Sequence, residues 1–215
     1  TLNLEHKMTN RIKSLLERTF DKEQAKFRRD VDWKPLLEKF IAEKIDDETG
    51  ARMGLEAMLA AEQPAFMDGE TIHFLRTVKQ IPDLHSEEEM EARRKSGTAF
   101  GEKGVVFNLT ADFAPTIRDG LDKRLVEIEA KLAECRPRNE GINFLENAAL
   151  SVKAVLGLVD RYIAAIPAPS LDPRPSPLNA VHTGAKTFHE ALQVLRVLHY
   201  AMWCEGEYHC GLGRI

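Results

Sequence analysis

The side chains best able to do chemistry in this 215-residue chain are its three cysteines and seven histidines, and their spacing decides what they can do. Cys204, His209 and Cys210 come nearest to a metal-ligating group. A zinc or iron–sulfur site needs ligands that converge on one point. His209 and Cys210 are neighbours in the chain and point apart in any regular structure, so the simplest reading is a half-buried Cys at a helix end beside a turn residue, with no metal site. Cys135 lies beside Arg136, and a cation lowers a thiol pKa. With no histidine close by in sequence, an inert thiol is the simpler reading. His189 and His199 are separated by about three turns of one predicted helix and form no ligand pair. The run Glu87-Glu88-Glu89 reads as a solvated helix start. The phosphate-cradling G-x-x-x-x-G-K-[ST], H-E-x-x-H, G-x-S-x-G and C-x-x-C are all absent.

The elements that must position these residues read as helices. Leu4, Met8, Ile12, Leu15 and Leu16 recur at spacings of three and four and define one apolar face. Trp33 to Ile45 repeats the pattern, and Ala51 to Ala61 is a third helix closed by Pro64. Ser86 followed by three glutamates is a cap with acids in the first turn. Pro115 suits a first helical turn, and Leu121, Leu125, Ile128 and Leu132 carry that helix to Cys135. Phe144 to Ile166 is the longest periodic stretch. Thr187 to Met202 is the last helix, with Phe188, Leu192 and Leu195 expected on its buried stripe and Glu190 more exposed. Thr71 to Leu75 and Val105 to Phe107 are short strand candidates. Five prolines between Pro167 and Pro177 make that stretch an extended linker.

Composition bounds the class. Hydrophobic residues are 43% and charged residues 30%, as in a soluble globular chain. Thirty basic against thirty-four acidic side chains leave a net charge of -4, which argues against a dedicated nucleic-acid binder. No uninterrupted apolar run approaches the roughly 20 residues of a membrane span, and no basic stretch leads into an apolar one as in a secretory leader. An odd cysteine count points to a reducing compartment, and the expected location is the cytoplasm. The chain opens on Thr1 and closes on Gly211-Leu212-Gly213-Arg214-Ile215 directly after a helix, which reads as a cut in a longer protein.

Several segments, in order, resemble one family. Thr187-Phe188-His189-Glu190-Ala191-Leu192-Gln193 resembles the T-F-x-E-A-L-Q motif of glycyl radical enzymes, the pyruvate formate-lyase-like group, and Gly213-Arg214-Ile215 follows at the expected distance. Glu62-Gln63-Pro64, Gly69-Glu70-Thr71-Ile72 and Arg76-Thr77 resemble the family's early E-x-P, G-E-x-I and R-T pattern. Asn108 to Phe113 with Gly120-Leu121 is similar to its H-x-x-P-[DN]-Y and G-L segment, and Arg161-Tyr162 to the R-Y-A that ends a long helix. Thr9 to Leu15 resembles its N-terminal helix.

The resemblance implies a mainly α chain: the N-terminal helical part of a glycyl-radical-enzyme α/β barrel, with one to three short strands. Residues 1–166 are the expected helical region, 167–186 a Pro-rich link, and 187–215 a helix leading into a barrel strand. In the family a glycyl radical near the C-terminus, installed by a radical S-adenosylmethionine activase, passes to a cysteine at the barrel centre. The thiyl then acts on the substrate in anaerobic metabolism. Both radical-bearing loops belong to parts of the family outside these residues, so no catalytic residue, bound cofactor or metal is expected in this chain. Implied partners are the remainder of the enzyme, the activase and a second copy of the chain, with no nucleic acid and no membrane. The resemblance also marks two substrate-pocket candidates by departure. Asn108 stands where the family has His, and Gly211 where many members have Ser; Ala111 and Phe113 replace Pro and Tyr. The His and Ser are pocket positions in diol-dehydratase-like members. Their loss points to a C–C or C–N lyase or an acyltransferase. A different class of function is a non-catalytic helical interaction module derived from the family.

Overall fold

A computed structural model of the chain describes residues 8–82, 85–97, 110–166, 176–204 and 211. Eight α-helices are found among them: α1 (Asn10–Phe20), α2 (Lys34–Glu43), α3 (Asp47–Ala61), α4 (Glu87–Ser96), α5 (Ala114–Cys135), α6 (Ile142–Ala165), α7 (Asn179–Thr183) and α8 (Phe188–Cys204). A 3-10 turn over Glu23–Phe27 follows α1. The chain is mainly helical, as expected.

Local chemistry sets the helix ends. Ser86 and Glu89 form a full capping box at the start of α4, and Gly97 ends it at φ 72°. The α3 helix starts earlier than its apolar period because the Asp46 side chain accepts from the Thr49 N–H at 3.0 Å. Pro115 sits in the first turn of α5. Helix α6 lies at the centre, packed on α3 and α5, and buries Val155, Leu156, Leu158, Val159 and Tyr162. Met58 and Leu59 of α3 and Val194, Val197 and Tyr200 of α8 complete the same core. By length and mean hydropathy α6 is also apolar enough to cross a membrane, although charged residues interrupt its apolar run.

Among the described residues there are no strands. Thr71 to Leu75 has no ladder, and the chain bends at Thr71 and Ile72. Only one bridge forms nearby, between Arg29 and Val78. The backbone of His73 is satisfied instead by the Gln193 side chain, which takes the place of a partner strand. Val105 to Phe107 lies outside the described residues. The expected link 167–186 contains α7, which buries Ala180 and Val181, just after a fully buried Leu178. At Gly120, φ 79° breaks α5, and a Cβ there would meet the His182 carbonyl oxygen at 2.0 Å. The facing Gly184, at φ 87°, is equally tight against the Arg118 carbonyl. This backbone-on-backbone approach admits only glycine.

The stripe expected on α8 is rotated. Phe188 is 76% exposed, Leu192 is half-buried and Leu195 is buried. The buried face runs through Gln193, Val194, Val197, Tyr200 and Cys204. Glu190 is half-buried, less exposed than Phe188 and more exposed than Leu195. It accepts from the backbone N–H of Lys186 and of Thr187, each at 2.8 Å, while Thr187 Oγ1 accepts from Glu190 N–H at 3.2 Å. The T-x-x-E of the motif is therefore a capping box, and these bonds hold the Glu190 carboxyl below its ordinary pKa.

Candidate functional site

Glu62 is the first residue beyond α3 and is 2% exposed. Burial of an acid demands donors, and four are supplied. Glu62 Oε2 accepts from Thr77 N–H at 2.7 Å and from Thr77 Oγ1 at 2.5 Å. Its Oε1 accepts from Val78 N–H at 3.1 Å and from the Tyr200 hydroxyl. Burial first, then Cys204 and Glu62, push the Tyr200 pKa up, so the phenol keeps its proton and donates.

The surrounding residues tie the same segment to α6 and α8. Arg161 Nη2 donates to the Leu59 carbonyl at 2.5 Å, where a cation suits the exposed carbonyls of a helix C-terminus. Tyr162 OH donates to the Leu75 carbonyl at 2.7 Å. Burial, then the Glu62 charge, raises its pKa as well. Gln193, fully buried on α8, accepts from His73 N–H at 2.7 Å and donates to the His73 carbonyl at 2.9 Å. His189 Nε2 lies 2.6 Å from the Thr71 carbonyl.

On the other side of the segment lies a cleft of about 250 Å³ lined by Arg28, Arg76, Arg196, His199, Tyr200 and Trp203 among others. The Arg76 guanidinium sits 4.1 Å over the Trp203 ring and that of Arg196 5.1 Å from the Phe74 ring. Burial, then the like charge of Arg28, lowers the Arg76 pKa; burial likewise lowers that of Arg196. Both remain cationic at neutral pH, as arginine does.

The residues singled out from sequence fall unevenly. Asn108 lies outside the described residues, as do His209 and Cys210. Gly211 is half-buried against Thr110: a Cβ at 211 would lie 2.6 Å from Thr110 Oγ1. A serine there would thus collide with a hydroxyl that Thr110 already brings to the spot. Cys135 and Cys204 are both buried. Among the described residues no group of three or more His, Cys, Asp and Glu is arranged to hold a metal ion. His199 borders the cleft while His189 serves the Thr71 carbonyl, so the two are not brought together. Sequence reasoning missed the arginine cleft, because Arg28, Arg76 and Arg196 come from three distant segments with no shared motif.

The chain was compared with family models, with curated proteins and with solved structures, and nothing matches.

Proposed function

We propose that these residues are the N-terminal part of a glycyl radical enzyme of the pyruvate formate-lyase-like group. One observation carries the reading. The positions on which the resemblance rests are scattered over the chain, yet several of them meet in one hydrogen-bonded cluster: Glu62 with Thr77, Arg161 and Tyr162 with the same segment, and Gln193 with His73. Gly120 has an equally specific role, in the close approach to α7. Residues that share a fold for a reason are expected to be joined in this way; a chance string of short matches is not.

On this reading the chain supplies scaffold. A carbon radical needs an enclosed cavity that excludes water, and helices packed outside the barrel contribute to that enclosure. The glycyl and thiyl carriers lie in the rest of the enzyme, and a radical S-adenosylmethionine activase would install the radical. Asn108 and Gly211 favour a C–C or C–N lyase or an acyltransferase over a diol dehydratase, since the Asn amide cannot move a proton as His does and Gly211 has no hydroxyl of its own.

The test is electron paramagnetic resonance after incubation with activase, S-adenosylmethionine and reductant. The full-length enzyme is expected to give a glycyl doublet near the free-electron value, and residues 1–215 alone none. A doublet from residues 1–215, or none from a fully active-site-competent longer chain, would overturn the reading. Rapid formation of propanal from propane-1,2-diol would overturn the reaction assignment alone.

A second reading, a non-catalytic helical interaction module, is favoured by apolar exposure. Phe188 is 76% and Phe20 80% exposed, and Ile12 and Leu16 stand open on α1. Light scattering after size exclusion separates the two: a stable complex with an unrelated partner and no radical in the full-length protein would support the module.

A further inference from the structure

We propose that the cleft between the turn after α1 and helix α8 binds a compact polyanion, a small molecule bearing phosphate or carboxylate groups, through Arg28, Arg76 and Arg196. This goes beyond the glycyl radical reading and does not rest on it.

Charge points to this first. The chain as a whole is acidic at -4, yet three guanidiniums line one cleft of about 250 Å³ and, among the described residues, no carboxylate lines it with them. The nearest buried acid, Glu62, is committed elsewhere: its two oxygens face Thr77, Val78 and Tyr200. Arg196 also feels Glu70 and Glu62 at longer range, but neither enters the lining. Like charges held together in a half-desolvated place repel, and an anion relieves that repulsion.

The cationic groups are also pre-organised. Arg76 is laid on Trp203, which is itself stacked on Tyr200 with centroids 5.7 Å apart. Arg196 is steadied by the Phe74 ring and by the Phe74 carbonyl at 3.4 Å. Two planar forks fixed against rings leave outward N–H groups ready for oxyanion pairs, the geometry in which arginine excels over lysine. Arg28 is exposed at the rim, and the His199 ring borders the same cleft. The volume is at the small end for ligand pockets, so a compact ligand fits and an extended one does not.

Nuclear magnetic resonance of the full chain tests this with four probes: inorganic phosphate, pyrophosphate, citrate, and chloride at matched ionic strength. The chain has two tryptophans, Trp33 and Trp203. The expected result is a saturable shift of the Trp203 indole N–H with pyrophosphate or citrate, none with chloride, and little movement of Trp33. Pyrophosphate alone assigns a phosphate ligand, citrate alone a carboxylate, and both a general polyanion site. Arg76→Gln and the exposed Arg28→Gln should each weaken binding at least about 10-fold, with unchanged circular dichroism. The distant Lys131→Gln should leave it unaltered. No saturable shift up to about 10 mM of either polyanion, or equal loss in Lys131→Gln, would overturn the proposal.

Discussion

Neighbouring residues Arg76 and Thr77 sit on one extended segment and serve opposite sides of it. Thr77 is 3% exposed, and both its amide and hydroxyl are given to Glu62. Arg76 lies in the cleft, over Trp203. On the first side each donor has an acceptor, and the cluster acts as a fastening. On the second side three cations share a cavity that no carboxylate lines among the described residues, and the arrangement is suited to receive something. The contrast teaches that polarity in an interior has two uses, told apart by whether its hydrogen-bonding capacity is filled from within the chain.

If the Glu62 side is a fastening, removing its acceptor should be the most damaging change. Glu62→Leu leaves two backbone N–H groups, a hydroxyl and a phenol without their partner in a buried place. A loss of about 3–5 kcal/mol is expected from urea unfolding. A loss under about 1 kcal/mol would show that water reaches these donors and that the contrast is false.

Gln193→Leu comes next, at about 1–3 kcal/mol, since it strips both bonds from the His73 backbone while roughly keeping side-chain volume. The double variant with Glu62→Leu should lose less than the two separate losses together, because both fasten the same segment. Strict additivity would mean two independent supports.

A smaller effect comes from pH. Burial, then the His189 charge, lowers the His73 pKa below 6.5. The unfolded chain therefore binds this proton more readily than the folded one, and stability rises with pH across that interval. The His73 contribution is intact above about 6.5 and is lost as pH falls through the unfolded and then the folded pKa. His73→Asn should flatten unfolding midpoints measured between about pH 5 and 7; an unchanged slope would assign it to other groups. The smallest effect is expected at Phe188→Ala, below about 0.5 kcal/mol in the isolated chain, because the ring is 76% exposed. A core-sized loss would contradict the rotated face of α8.

What the sequence disclosed and what it hid follow from the range of the interactions. Helix α4 was legible because Ser86 and Glu89 lie within one turn, and α6 because its apolar period runs over many turns. Helix α7 was hidden by its brevity and by the prolines before it. The face of α8 was misread because a periodicity count places apolar residues inward and gives no weight to glutamine. Gln193 is nonetheless fully buried, since it satisfies two backbone groups far away in sequence. The same substitution of a side chain for a strand misled the reading of Thr71 to Leu75, whose alternation is real but whose ladder is absent. Glu62, Thr77 and Tyr162 were noticed only as letters of a resemblance; their joint role required tertiary structure. The cleft left no sequence signal, because three isolated arginines in a chain with thirty basic residues are not a pattern.

Side chains, rather than a sheet, hold residues 62–78 in place. Native-state hydrogen exchange at the backbone N–H groups of His73, Thr77 and Val78 tests this most directly. These groups belong to no helix and no strand, yet each donates to a buried or half-buried side-chain oxygen. They are expected to exchange as slowly as the core of α6, with protection lost at Thr77 and Val78 in Glu62→Leu and at His73 in Gln193→Leu. Exchange at the rate of exposed loop amides in the unaltered chain would contradict the account.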